Sequence, residues 1–319
     1  MFHYTLFGNV MRSDVEFPEL KPAEPQVPWW TLRCVETLPA SPHCELLGED
    51  VVTGNVRVRM YRDGDLLRIA FDDTGTFVVS PDGRRIDWLR PADVAMEAAR
   101  ADLTGRVLAA ALHASGCVSL HASSVVVNGR AIAFIAPKHH GKSTLALSLV
   151  KAGARLLTDD TLPVEPGPPV IARAGLHSTR LWDDSAAIVA LGEARPSEKG
   201  SKQVYPALPD EFVTHDEAPL DALYLLSPTV EANDGQPVWR TRLNQIEAAM
   251  VMLAHSKLAP LLGGSERPAL FRTAAALAQG VPVYKLNVLR DFDRLPEVVG
   301  TIGSWHAGES EPAAAVAFG

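Results

Sequence analysis

The chain is poor in cysteine: Cys34, Cys44 and Cys117 are the only three in 319 residues. An odd number with no C-x-x-C spacing excludes a disulfide framework and a zinc-finger-like site, and predicts free thiols in a reducing compartment. Positive charge is also in deficit, with 30 Lys+Arg against 38 Asp+Glu and a formal net charge of −8. That balance argues against a broad phosphate-backbone footprint, so no nucleic-acid partner is expected. No apolar run approaches the length of a membrane span, and the first residues lack a basic stretch followed by an apolar one. The expectation is a cytoplasmic protein with no membrane partner. No internal repeat is visible. Hydrophobic residues make up 47% of the chain, enough for a sizeable core in two domains or one large one.

What is present centres on Ala136-Pro137-Lys138-His139-His140-Gly141-Lys142-Ser143-Thr144. Residues 130–135 (RAIAFI) are short, apolar and strand-like. After the loop, Leu145, Leu149 and Val150 share a helical face, and Gly153 stands where a helix-terminating glycine belongs. Strand, tight loop and helix give the GKST segment the context of a phosphate-binding loop. A helix N-terminus offers unpaired N–H groups and partial positive charge to an anion. Lys142 suits the β- and γ-phosphates, and the Ser143 hydroxyl suits Mg²⁺. The first position of the usual G-x-x-x-x-G-K-[ST] pattern is Ala136 here, which requires a negative φ. Lys138, His139 and His140 fill the loop where smaller residues are commoner. The plainer alternative is a strand–helix turn with an accidental GKST.

Residues 156–160 (LLTDD) read as a buried strand ending in two carboxylates. Ligands of open α/β sheets sit at the carboxyl ends of strands, and a right-handed crossover would lay this strand beside the one before the loop. Asp159 and Asp160 are then expected near Lys142 and Ser143, to hold Mg²⁺ or to take a proton. The alternative is an Asp pair that only shapes a turn. Upstream, Asn128-Gly129 is a strong hairpin signal between strands 123–127 and 130–135. An antiparallel hairpin feeding the loop is unlike an ordinary Rossmann start.

His121, the hairpin, the GKST segment, the helix and ARLLTDD, in that order and spacing, resemble the catalytic core of HPr kinase/phosphorylase and its bacterial serine-kinase relatives, including those that modify lasso-peptide precursors. The resemblance covers roughly residues 116–165. It implies an α/β fold, an HPr-kinase-like P-loop domain preceded by a small antiparallel β-rich accessory region. It implies ATP and Mg²⁺ as cofactors and phosphoryl transfer to a serine hydroxyl of a peptide or protein, a lasso-type precursor among the acceptors. In this reading residues 136–144 bind nucleotide, and Ser143 and Asp160 hold Mg²⁺. Asp159 is the base and His121 sits beside it. Arg180 and Lys202 are candidate phosphate or acceptor contacts. A homo-oligomer is compatible with it. Two alternatives stay open: a small-molecule kinase on the same core, and a non-catalytic ATP-binding sensor.

The rest is organised around that block. Residues 1–115 are read as the accessory region. It comprises a proline-rich extended segment with Trp29-Trp30, a β-meander over residues 51–88 with Asp-Gly turns, and a helix over residues 91–115. Arg57, Arg59 and Arg62 would wet one face of the meander, or grip an acidic peptide. Residues 116–302 are the expected P-loop domain, with a polar loop at 193–205 that could close over phosphates. Residues 303–319 are expected to be a disordered tail. A composite site of His121, His139 and His140 is conceivable, although adjacent histidines point to different sides of any regular element.

Overall fold

A computed structural model describes residues 1–39, 44–52, 55–189, 191–197 and 200–307; the side chains of residues 195–197 and 200–202 lie outside that description. The chain is a mixed α/β protein with several sheets. Among the described residues no helix is long and apolar enough to cross a membrane.

The first sheet has nine strands and takes in more of the chain than the sequence suggests. Phe2–Leu6 and Asn9–Ser13 form a hairpin through Phe7 and Gly8, both at positive φ. Trp30–Val35 then lies parallel to Asn9–Ser13 on one side and to Arg85–Leu89 on the other. From there the expected meander runs back antiparallel through Gly75–Val79, Leu66–Phe71 and Val56–Asp63 to the edge strand Glu45–Val52. The expected extended segment is therefore confined to the proline-rich stretch between the hairpin and Trp30, which stays outside regular ladders apart from a short pairing of Lys21–Pro22. Trp30 is buried, and Trp29 is half exposed under the Arg84 guanidinium, 4.0 Å from its ring centre. The meander arginines are largely spoken for. Arg57 and Arg59 pair with Glu49, Arg59 also with Asp72, and Arg62 reaches Glu266. The connecting helix starts at Met96 rather than Pro91 and carries a π-turn at Leu103–Val107 before Leu108–Ala114.

The second sheet holds the GKST segment. Ala122–Val127 pairs antiparallel with Arg130–Ile135 and, on its other edge, with Arg155–Thr158. The strand after the loop helix thus returns one position further out than expected, with Ala122–Val127 lying between. Arg130–Ile135 continues in parallel to Ala218–Thr229 and then to Val283–Leu289, closed by antiparallel Val238–Arg242. Period-two alternation sorts the sheet's two faces. Ile132, Phe134, Ala222 and Tyr224 meet the helices Lys142–Lys151 and Leu295–Trp305. Ala131, Ala133, Ile135 and Leu223 meet the helices Gln245–Ala254 and Arg267–Gly280. Residues 193–205 are not an open loop: Gly200–Tyr205 pairs with Thr179–Trp182 and with Arg195–Ser197.

Residues 303–307, expected to be disordered, are ordered. The last helix runs on to Trp305, and His306 beyond it is buried. The His306 imidazole meets the Tyr224 hydroxyl through Nε2 at 2.7 Å and donates from Nδ1 to Asp221 at 2.7 Å. Burial pushes this imidazole below its ordinary pKa, which keeps it neutral. Arg240 donates to the same Tyr224 hydroxyl and lies over the rings of Tyr284 and Trp305. Residues 308–319 lie outside the described residues.

The two sheets share a border. Leu258, Leu261, Leu262 and Leu270 belong by sequence to the second half but sit in the core of the first sheet. The Gly263 N–H donates to the Leu47 carbonyl at 2.9 Å. A Cβ on Gly48 would stand 2.7 Å from the Pro260 carbonyl oxygen, and one on Gly263 2.3 Å from that of Leu47. Glycine is needed at both because the two backbones touch. Residues 260–263 thereby cover the edge strand Glu45–Val52 at Leu47 and Gly48, where it would otherwise offer an open ladder.

Candidate active site

The loop between Ile135 and the helix Lys142–Lys151 takes two left-handed residues, His139 (φ 68°) and Gly141 (φ 87°). A Cβ on Gly141 meets nothing within 4 Å, so its glycine answers to φ and not to crowding. Ala136 is absent from the positive-φ residues, as its Cβ requires, and is buried under the loop. A left-handed histidine costs about 1–2 kcal/mol. Two contacts hold it there: the His139 ring stacks on Trp182 with centroids 4.8 Å apart, and Arg290 donates to its carbonyl at 2.8 Å. His140 Nδ1 donates to the Lys138 carbonyl at 3.0 Å, while Pro137 and Lys138 are exposed. Gly141 has no side chain with which to cap the helix, so the first-turn N–H groups face the loop. Lys142 Nζ donates to the Ala136 carbonyl at 2.9 Å, folded back along the loop it closes. Thr144 turns away to the Ser185 hydroxyl.

Asp159 and Asp160 lie just past the strand Arg155–Thr158, and the left-handed backbone at Asp160 separates the two carboxylates. Asp159 is 7% exposed and points toward the loop helix. Ser143 Oγ donates to its Oδ1 at 3.0 Å; the Ser123 and Thr179 hydroxyls donate to it as well. Asp160 takes a left-handed φ of 76° and turns outward, its side chain half exposed. There His121 Nδ1 donates to Oδ1 at 3.1 Å, and Lys257 Nζ contacts Oδ2 and the Asp160 carbonyl. Partial desolvation would raise the Asp160 carboxyl, but the Lys257 ammonium and the His121 hydrogen bond outweigh it and hold it well below the usual carboxylate range. The expected pairing of Ser143 with Asp160 is therefore exchanged: Ser143 meets Asp159, and Asp160 meets His121.

Two groups that no motif announces complete the constellation. His255 and Lys257 follow the helix Gln245–Ala254 and run antiparallel to Val118–Leu120. The His121 N–H donates to the His255 carbonyl and the Lys257 N–H to the Ser119 carbonyl, each at 2.8 Å. Burial, helped by Lys142 and His121 nearby, depresses the His255 imidazole to about 4, so it is neutral near pH 7. Lys257 lies 97 residues from its partner Asp160, which is why no local pattern points to it. Ser123 and Thr179 stand two residues after His121 and one before Arg180, but single hydroxyls carry no sequence signal.

The other expected residues fare differently. Arg180 is exposed, on the same face of its strand as Trp182, two residues from the ring that holds His139. The backbone of Lys202 pairs with Trp182, and its side chain lies outside the described ones. His121, His139 and His140 do not converge: each has a different partner. Among the described residues no three His, Cys, Asp or Glu side chains form a metal-sized cluster. Cys117 is buried, and burial beside Glu165 pushes its thiol up to about 12, which leaves it unreactive.

What this geometry can do is set by its charges. One end of the second sheet brings together a helix N-terminus, two ammonium groups, two carboxylates and the imidazoles of His121 and His255. Its oxygen donors, Ser143 and Asp159, are hard ligands of the kind Mg²⁺ prefers.

No family model matches this chain, and no curated protein matches it. Among solved structures it is similar to the HPr(Ser) kinase/phosphatase from Coxiella burnetii, at 13% identity over 59% of this chain and 95% of that one, with a TM-score of 0.31. An overlap that loose bears on neither activity nor substrate.

Proposed function

We propose that the chain is an ATP-dependent kinase that transfers a phosphoryl group to a serine hydroxyl of a peptide or protein. The observation that carries this reading is the Ser143–Asp159 contact at the first turn of the Lys142–Lys151 helix, with Lys142 beside it and Asp160 open on the far side. The helix N-terminus, the loop N–H groups and Lys142 bind the phosphates. Lys142 exchanges its bond to the Ala136 carbonyl for phosphate oxygens, a stronger, charge-assisted contact. Ser143 and Asp159 would hold Mg²⁺, which when bound supplies charge neutralisation between the β- and γ-phosphates.

Asp160 and His121 serve the acceptor. Asp160 is ionised at neutral pH and half exposed, so a hydroxyl on a flexible chain can reach it. Its depressed pKa makes it a weak base. That suffices for a loose, largely dissociative transition state, in which positioning and electrostatics do most of the work. His121 donates to the other side of the interaction and fixes the carboxylate's orientation. Roles for Asp159 and Asp160 are thus the reverse of those read from sequence.

The acceptor is tested by incubating the full chain with γ-labelled ATP and Mg²⁺. Serine peptides, lasso-type precursor peptides among them, are offered beside small hydroxyl compounds. Label on peptide serine is the expected result. Label on small compounds alone would make this a small-molecule kinase, and ATP binding without any turnover would make it a sensor.

A further inference from the structure

Resting on the phosphoryl-transfer reading above, we propose that Lys257 is a second catalytic cation of that site. In this proposal Lys257 contacts the transferring phosphoryl group, and the N-terminal sheet holds it in place. The segment that bears it is fixed at both ends. Near the site, the Lys257 N–H and the His255 carbonyl bond to the backbone of Ser119 and His121, and Ser256 bridges Leu120. At the other end, Leu258, Leu261 and Leu262 are buried in the core of the first sheet. Gly263 is bonded to Leu47 there. Lys257 is thus set on a backbone that both sheets grip, not on a loose loop.

The side chain is buried along its stem, with 12% of it exposed, and its ammonium ends at Asp160. The two oxygens of Asp160 it contacts, Oδ2 and the carbonyl, engage two of its three N–H groups. In this proposal the remaining N–H is the one that meets the phosphoryl group, because the acceptor oxygen reaches phosphorus next to the carboxylate that takes its proton. Lys142 comes from the loop side and Lys257 from the acceptor side. In the step, the acceptor oxygen forms its bond to the γ-phosphorus and the bond from that phosphorus to the bridging β-oxygen breaks. ADP leaves with that electron pair, and the hydroxyl proton goes to Asp160. Lys257 balances charge on the phosphoryl oxygens during transfer. It differs from Lys142 in acting on the transferring group more than on bound ATP.

The test uses the full chain with ATP and Mg²⁺ and reads slow ATP hydrolysis, in which water replaces the acceptor, beside calorimetric ATP affinity. Removing one preorganised donor to developing charge typically costs ~10²–10³ in rate. Lys257→Met should therefore lower kcat by about 100-fold while leaving the ATP Kd within about threefold. Lys257→Arg, which keeps the charge and Asp160's partner, should recover at least about a tenth of the lost rate and guards against a folding defect in the methionine variant. Wild-type kcat in Lys257→Met would overturn the inference. So would a parallel loss of ATP affinity, which would make Lys257 a ground-state ligand. So would an arginine variant that folds as well as wild type yet turns over no faster than methionine. If the wild type itself neither binds nor hydrolyses ATP, the phosphoryl-transfer reading fails, and that result is distinct from the others.

Discussion

Asp160→Asn is expected to lower phosphoryl transfer by about 10², the low end for a positioned general base because its depressed pKa makes it a weak one, while ATP affinity changes little. The reason is placement. Asparagine keeps the size of the side chain and can still accept from His121, but it does not take up the acceptor's proton. The phosphates are held elsewhere, by the loop, the helix N-terminus and Lys142. Asp159→Asn should behave in the opposite way. Asp159 is buried and accepts from three hydroxyls, Ser143 among them, and an amide NH₂ in place of one oxygen turns an acceptor toward those donors into a donor. Nucleotide affinity and its Mg²⁺ dependence should fall together, with a loss of stability beside them. The comparison is label incorporation and ATP titration for both variants, at matched thermal midpoints. An Asp160→Asn protein that transfers at the wild-type rate, with an Asp159→Asn protein that is slow but binds ATP normally, would restore the assignment first read from sequence.

Trp88→Ala should destabilise the chain by about 3–5 kcal/mol, the range for removing a large aromatic from a packed core. Trp88 is fully buried, stacks on Phe77 with centroids 5.3 Å apart, and donates from its indole N–H to the Thr74 carbonyl at 2.8 Å. The substitution opens a cavity and leaves that carbonyl unpaired. Its consequences should reach the candidate site, because the same core holds Leu258, Leu261 and Leu262, next to Lys257. The His113 and Arg62 contacts to Glu266 cross the same border, the first at 3.2 Å. Urea unfolding followed by tryptophan fluorescence and by turnover should then show both signals lost in one transition. A cost under about 1 kcal/mol, or loss of the first sheet with full turnover retained, would mean that the two sheets are energetically separate.

The local chemistry of the block around residue 140 was legible because each signal there is short-range. Asn128-Gly129 forms the hairpin turn with both residues at positive φ, Gly153 ends the helix at φ 107°, and the Asp-Gly turns of the meander have left-handed glycines at 64 and 83. What failed depended on distance in sequence. Proline density marks residues 18–28 as irregular, but it says nothing of the hairpin before them or of Trp30 pairing with two strands from different parts of the chain. The extra strand between Arg130–Ile135 and Arg155–Thr158 is a matter of sheet order, which hydrophobic periodicity does not encode. The exchange of Asp159 and Asp160 turned on a single left-handed residue, Asp160, whose conformation an Asp-Asp pair does not reveal. Lys257 was invisible for the plainest reason: its role exists only because a segment anchored in the first sheet passes the carboxyl end of a strand in the second.

Calorimetric titration of the full chain with ATP and Mg²⁺, beside Lys142→Ala, tests the phosphate-binding claim on which every other role depends. Lys142 is the one side chain of the GKST segment whose charge is directed at the loop interior, where it rests on the Ala136 carbonyl. Saturable binding of one ATP per chain is expected, weakened in the variant by about 2–3 kcal/mol, the scale of a charge-assisted hydrogen bond lost at a buried anion. A wild-type chain that takes up no ATP, or a Lys142→Ala chain that binds it as tightly as wild type, would contradict the account.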